Sequence, residues 1–249
     1  MLQQLRVNLH THTCLSPCAD LDMYPAAIVH ECLRQGLDVI AITDHNASEN
    51  VEYVQRVAAD MPLVVLPGME VCTREEAHVL AVFDELDALE KLQTFVYANL
   101  EGKNNEDVFG IQAIVNELDE VEGFNDRLLI GATSIALKSL VDKIHSLCGL
   151  AIAAHIDRGS FSVISQLGFV SPDAGFDALE ISSRMTIPQA RQRYPELSGY
   201  PFIQSSDAHY IRDLSSAHTM MSLDSGSLAE IRMALNHTQG RCILDPYHA

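Results

Sequence analysis

Apolar runs of strand length recur along the chain, and most of them end in a short polar motif. LRVNLHTH (5–12), DVIAITDHN (38–46), LVVLPGMEV (63–71), AHVLAVF (77–83), LAIAAHIDR (150–158) and FIQSSDAH (202–209) share this form. Five of the six carry their polar residues at the C-terminal end of the run, whereas AHVLAVF carries its histidine at the start. The pattern predicts strands over 5–9, 38–43, 63–66, 78–83, 150–154, 178–182, 201–205, 218–222 and 241–244. Helical spacing predicts helices over 24–35 (stopped by Gly36), 49–59, 160–167 and 227–237. A further helix is expected over 135–148, with Ser134 as its N-cap and Gly149 as its stop. Strands and helices that alternate without a visible boundary predict one α/β domain over 1–249.

Residues 84–127 break this rhythm. They are acidic and helix-prone and carry no ligand-like residue. Two or three short helices are expected there, as an insertion or cap within the domain that limits substrate size.

The length of 249 residues suits a single barrel-sized domain, and 47% hydrophobic residues fill its core. No apolar run reaches the roughly 18–20 residues of a membrane span. The N-terminal MLQQLRVNLHTH has neither a basic start nor a small-residue cleavage site, so a cytoplasmic location with no membrane partner is expected. The net charge of −18 leaves few Lys and Arg to neutralise a long duplex, so duplex nucleic acid is not expected as a partner. A small anionic phosphorylated molecule, or a short RNA or DNA end, is expected instead. Cys14 and Cys18 have C-x₃-C spacing beside His10 and His12, but no second Cys/His pair of finger spacing follows. They are expected to border the site without binding metal.

Nine residues are candidate metal ligands: His10, His12, Asp20, His45, Glu70, His78, His155, Asp207 and His209. A single histidine at a strand end is more often hydrogen-bonded core or surface, so it is the joint pattern that points to a metal centre. His10 and His12 lie two apart on a strand, which puts both imidazoles on one face. Zn or Mn suits such a mixture of imidazole and carboxylate. Asp44 is a candidate for orienting an imidazole or a strand-end loop. Arg158 and Arg184 are candidates for gripping a substrate phosphate with a guanidinium fork, the alternative for each being a surface salt bridge. His30, His145, His218, His237 and His248 are given no metal role.

LHTH, ITDHN, GMEV, the histidine of AHVL, AAHIDR and SSDAH follow one another in this order from residue 9 to residue 209. Together they resemble the PHP family, the polymerase and histidinol phosphatase domain. The resemblance implies a distorted seven-stranded (β/α) barrel and two to three divalent ions, Zn, Mn or Fe. It assigns His10, His12, Glu70 and Asp207 to a first ion and Asp20, His45 and His209 to a second. His78 and His155, sharing Glu70, would hold a third. Many family members carry an acidic residue soon after H-x-H, in a Ser-Asp-Gly stretch. Here Ser16 is followed by Pro17, Cys18, Ala19 and Asp20, and Asp20 is favoured over Asp22. The implied activity is metal-dependent hydrolysis of a phosphomonoester, a nucleotide or a short 5′-phosphorylated oligonucleotide. No Walker A or G-x-S-x-G motif is present, so water is the expected acceptor. Two alternatives are kept. One is an amidohydrolase-like C–N hydrolase, whose usual bridging Lys has no counterpart at a strand end here. The other is a non-catalytic metal-stabilised binding module.

Overall fold

Strand-forming residues alternate between two environments, and this alternation builds the fold. In the computed structural model, residues 1–244 are described. The strands are β1 (Gln3–Thr11), β2 (Val39–Ile42), β3 (Val64–Cys72), β4 (His78–Val82), β5 (Ala113–Val115), β6 (Val121–Phe124), β7 (Leu150–Ala153), β8 (Ala178–Ile181), β9 (Phe202–Gln204), β10 (Thr219–Leu223) and β11 (Cys242–Ile243). The helices are α1 (Pro25–Gln35), α2 (Val51–Ala58), α3 (Leu86–Tyr97), α4 (Glu106–Phe109), α5 (Leu137–Ser146), α6 (Val163–Leu167), α7 (Ile187–Arg193) and α8 (Leu228–Leu235). On β2, Val39 and Ala41 join one apolar cluster while Ile40 and Ile42 join the other. The first cluster takes Val7, Leu66, Leu80, Ile152, Ala178 and Ile203 from six further strands, with Ile231 of α8 packed against them. The second packs α1, α2, α3 and α5 on the opposite face of the sheet.

Nine strands form one sheet in the order β11-β10-β1-β2-β3-β4-β7-β8-β9. It curls until the chain after β9 meets β1. Thr11 bridges Ala208, and the Asp207 N–H donates to the His10 carbonyl at 3.0 Å. The sheet is therefore nearly closed into a barrel, and its count is nine strands rather than the expected seven. The difference lies at one edge. Seven strands run from β1 round to β9, and β10 and β11 extend the sheet beyond β1 through antiparallel pairs.

The odd motif is explained by the topology. β1, β2 and β3 are parallel, and β7, β8 and β9 are parallel. β4 lies between the two groups, antiparallel to both β3 and β7. The N-terminal His78 of β4 therefore reaches the same end of the barrel as the C-terminal motifs of its neighbours.

β3 runs through Pro67 and Gly68 instead of ending at residue 66. Pairing with β2 ends at Pro67, and pairing with β4 begins at Gly68. A proline without an N–H is tolerated where one ladder gives way to the other. A Cβ on Gly68 would meet the Ile42 carbonyl at 2.9 Å and Thr43 Cγ2 at 2.8 Å. Gly68→Ala should therefore cost about 1–3 kcal/mol of stability through overpacking, visible as a lowered melting temperature. An unchanged melt would mean that the strand can shift to accommodate the methyl group.

Two local expectations need correction. The helix after residue 134 begins at Leu137, and Ser134 hydrogen-bonds Asn99 instead of capping it. The Leu137 N–H is satisfied by Glu75, 62 residues away in sequence. Residues 84–127 hold the helices α3 and α4 but also a β5–β6 hairpin. The alternating Ala113-Ile114-Val115 and a turn in which Asp119 takes a positive φ favour the hairpin over a third helix. The hairpin packs on the loop after β1, where the Ala113 N–H donates to the Cys14 carbonyl and Asn50 bridges Thr13 and Ala113.

Candidate metal centre

The barrel lumen is layered along its axis. On β3 the inward series runs from Leu66 through Gly68 to Glu70, and on β8 from Ala178 to Glu180. Apolar residues thus form the floor, and carboxylates and imidazoles form the mouth. A register break between Asn8 and Thr11 lets β1 pass from inward Leu9 to inward His10 and His12. Bulges are a usual device for re-aiming side chains beside a site.

Glu70, 1% exposed, is the hub. Its oxygens lie 2.9 Å from His45 Nδ1, 2.9 Å from His78 Nδ1 and 3.1 Å from His155 Nε2. They also lie 3.3 Å from His10 Nε2 and 3.5 Å from His12 Nε2. Asp207 Oδ1 is 3.2 Å from each of those last two nitrogens. One donor atom from each member lies within 4.8 Å of the others in three groups: His10/His12/Glu70, His45/Glu70/His78 and His12/His45/His209.

Supporting hydrogen bonds assign the tautomers. His10 Nδ1 donates to Glu180 at 2.9 Å. The Ser16 hydroxyl donates to Asp44 at 2.6 Å, so it accepts from His12 Nδ1 at 2.9 Å and from the His45 N–H. Asp44 also accepts from the Thr13 N–H and hydroxyl. With both rings neutral, these bonds leave the Nε2 atoms of His10 and His12 unprotonated and facing each other at 3.2 Å. Two lone pairs at that distance, beside two carboxylates, repel one another unless a proton or a metal ion lies between them. A tetrahedral ion with bonds of about 2.0–2.1 Å spaces its donors about 3.3 Å apart, the spacing seen here. Glu70 Oε2, Asp207 Oδ2 and His155 Nδ1 are also buried without a hydrogen-bond partner. The donor set fits divalent metal.

Electrostatics separate the two adjacent histidines. Burial opposes charge on His10, but Glu180, Asp207 and Glu70 hold its pKa well above the usual imidazole value. Burial and the neighbouring His209 and His45 drive that of His12 well below it. Burial works against the charge of Asp207 too, yet His10 and His12 hold its carboxyl far below the usual range. The backbone is under tension here, with positive φ at Asn46 (51°), His155 (30°) and Asp207 (49°). Such non-glycine residues persist only where the surroundings over-determine them. Asn46 shows how, through bonds to the Leu129 and Gly131 carbonyls and from the Cys72 N–H.

The structure brings eight of the nine candidate ligands together. Asp20 stands apart. It is exposed, its Oδ1 accepts the Asp22 N–H, and its own N–H donates to the His209 carbonyl. Arg158 borders the cavity with an Nη 2.5 Å from Asp207 Oδ2, close but out of line for a hydrogen bond. Arg184 is exposed and does not line that cavity. Of the histidines given no metal role, His145 pairs with Asp177 far from the centre, and His248 lies outside the described residues. The cavity of about 210 Å³ is walled by all of the gathered donors but His10 and His12, together with Cys18, Ile130, Ser160 and Phe161. Phe161 stacks on the His78 ring at 4.9 Å.

Sequence inspection missed Glu180 and Ser16, and of the two cysteines expected to border the site Cys18 lines the cavity and Cys14 does not. The signal for Glu180 was a lone carboxylate inside the apolar run ALEI, on the inward parity of its strand. No helix among the described residues is long and apolar enough to cross a membrane.

No family model and no curated protein matches the chain. Solved structures do match. Endonuclease Q from Pyrococcus furiosus, a lesion-specific endonuclease, aligns at 16% identity with a TM-score of 0.74, over 97% of this chain and 58% of that one. Endonuclease Q bound to a 27-mer duplex, with an abasic lesion at the active site, aligns equally well. The chain thus spans little more than half the length of these proteins. A protein from Bifidobacterium adolescentis assigned as a metal-dependent phosphoesterase gives 0.59 at 16% identity, over 82% of this chain and 87% of that one. An amidohydrolase from Chromobacterium violaceum, with bound sulfate, gives 0.55 at 16% identity over the same shares. The exclusion of duplex nucleic acid drawn from net charge does not stand, because this fold carries a duplex substrate at its active site in Endonuclease Q. Net charge averages over a whole surface, whereas phosphate contacts are local. At these identities the likeness establishes a shared mixed α/β barrel-like fold.

Proposed function

We propose that the protein is a metal-dependent phosphoesterase. The observation that carries this is the facing pair of His10 and His12 Nε2 atoms between Glu70 and Asp207, two carboxylates that line a cavity bordered by Arg158. The donors gathered there are His10, His12, His45, Glu70, His78, His155, Asp207 and His209. Divalent ions held by them supply the Lewis acidity that activates water and neutralises phosphoryl charge. Asp44 acts through Ser16, holding His12 and the strand-end loop in place. Arg158 grips a non-bridging phosphate oxygen from the rim. The chain functions as one domain, with residues 84–127 as a cap that braces the loop after β1.

The substrate is a phosphate ester reached from the open side of the cavity: a phosphomonoester, a nucleotide or the end of an oligonucleotide. The Endonuclease Q likeness favours adding a second reading, cleavage of a phosphodiester within DNA. The deciding experiment is a turnover screen of zinc- and manganese-loaded protein. The screen spans phosphomonoesters, bisphosphates, 5′-phosphorylated oligonucleotides, lesion-bearing duplexes and amide substrates. Turnover of amides alone would replace this proposal with an amidohydrolase-like activity.

Elemental analysis of protein purified without chelator should give two to three transition-metal ions per chain. A value near zero after gentle reloading with zinc or manganese would remove the metal centre. Arg158→Ala should weaken phosphoester turnover by about 1–3 kcal/mol, the scale of a charged hydrogen bond, without changing metal content. Arg158→Lys should recover only part, since an ammonium cannot supply the fork. Wild-type kinetics in Arg158→Ala would reduce the residue to a salt-bridge partner of Asp207.

A further inference from the structure

The loop that follows the two strand-end histidines turns back on itself. The Ser16 N–H donates to the Thr13 carbonyl at 3.1 Å, and the Ala19 N–H donates to the Ser16 carbonyl at 3.0 Å. Asp44 pins the same loop through Thr13 and Ser16. The hairpin side closes in as well: a Cβ on Gly110 would meet the Pro17 carbonyl at 2.4 Å. The result of this tight course is that Cys18 lines the cavity with His45, His209 and Asp207. Asp20, two residues on, faces away and spends its carboxylate on the Asp22 N–H.

Cys18 is an exposed residue, and its thiol lies on the cavity wall beside the imidazoles of both His45 and His209. Those two rings and His12 form the one donor group that contains no carboxylate. A divalent ion held by three neutral imidazoles keeps its full charge, and an anionic fourth donor would offset it in place of water. Glu70 Oε2 and Asp207 Oδ2 are buried and make no aligned hydrogen bond, although His45 Nδ1 stands 2.9 Å from the first and Arg158 2.5 Å from the second, and both carboxylates face this same cavity with charge to offer a cation. Cys14, in contrast, is buried against the Ala113 carbonyl and Asn50.

We propose that Cys18 is a metal ligand, giving its Sγ as thiolate to the ion at the His45–His209 end of the centre. It takes the place that the family resemblance gave to Asp20. Binding forms the metal–sulfur bond and releases the thiol proton to solvent. A thiolate among imidazoles favours zinc or ferrous iron at this position and disfavours manganese and magnesium. The inference rests on the metal-centre reading above but not on any particular substrate.

The test uses chelator-stripped full-length protein titrated with cobalt(II), without substrate. Wild type should develop a near-ultraviolet thiolate-to-cobalt charge-transfer band beside its visible d–d bands. Cys18→Ser should lose the charge-transfer band. Cys18→Asp should bind cobalt without it. Cys14→Ser and Asp20→Asn should keep both the band and the stoichiometry. Cobalt bound by wild type without the band would overturn the proposal, as would a band that survives in Cys18→Ser. Loss of one cobalt in Asp20→Asn would return the position to Asp20. Failure to bind cobalt at all would remove the metal centre along with the ligand, whereas absent phosphoester turnover with the band intact would leave the ligand standing.

Discussion

Glu70→Gln should strip the centre of most of its metal and abolish turnover. The substitution preserves shape almost atom for atom, so what it removes is charge and donor character. Five imidazoles lie within 3.5 Å of the Glu70 oxygens. A carboxylate can serve ions on both sides of it, whereas a carboxamide offers one neutral oxygen and turns an N–H₂ toward the rest. Loss of a supporting residue typically costs about 10–100-fold in metal affinity, and a shared ligand should exceed that. His10→Ala and Asp207→Ala should behave alike, because each removes a donor from the facing Nε2 pair. His145→Ala and His237→Ala should leave metal content and turnover unchanged. Metal analysis and kinetics on the same folded preparations decide this. Equal losses in both sets would mean that the effect is unfolding and that the centre lies elsewhere.

The donors proved easier to recognise in the sequence than the residues that hold them in place. Strand-end motifs are local: H-x-H, D-x-H and a polar end on an apolar run can be read from a few residues, and eight such donors converge in the fold. The reversed motif AHVLAVF was legible as an exception, but its reason was not. It lies in strand pairing, since β4 enters antiparallel between two parallel groups. Asp20, the ninth candidate, stands apart from the other eight, because the loop between His12 and Met23 follows hydrogen bonds from Asp44, 28 residues from Ser16. The hairpin in residues 84–127 was hidden by an acidic composition that favours helices, and α7 by its brevity. Its Thr186 capping box with Gln189 was the available signal. Net charge misled most, because it says nothing about where the few cations lie.

Glu180→Gln should leave a folded protein that binds metal about 10–100-fold more weakly, which separates support from ligation. Glu180 is 1% exposed and stands below the first row of donors on the inward side of β8. One oxygen accepts both from His10 Nδ1 at 2.9 Å and from the His155 N–H at 3.0 Å. The carboxylate therefore performs two tasks. It holds the His10 tautomer that leaves Nε2 free, and it anchors the backbone where His155 takes its positive φ. Glutamine can accept only through one oxygen, and its amide group must then face a donor. If the oxygen keeps both bonds, the amide N–H₂ takes the place of the other oxygen, 3.2 Å from His10 Nδ1, and opposes the Nδ1–H tautomer, so that Nε2 becomes partly protonated. The buried negative charge also disappears, and with it part of the offset to a bound cation. Metal should accordingly be weaker, and saturating metal should restore most of the turnover, since every direct donor remains. Isothermal titration with zinc, beside turnover at rising metal concentration, reads both effects. Wild-type affinity would show that His10 keeps its orientation without Glu180. Turnover that stays lost at full metal occupancy would move Glu180 from support of His10 into contact with the reacting atoms.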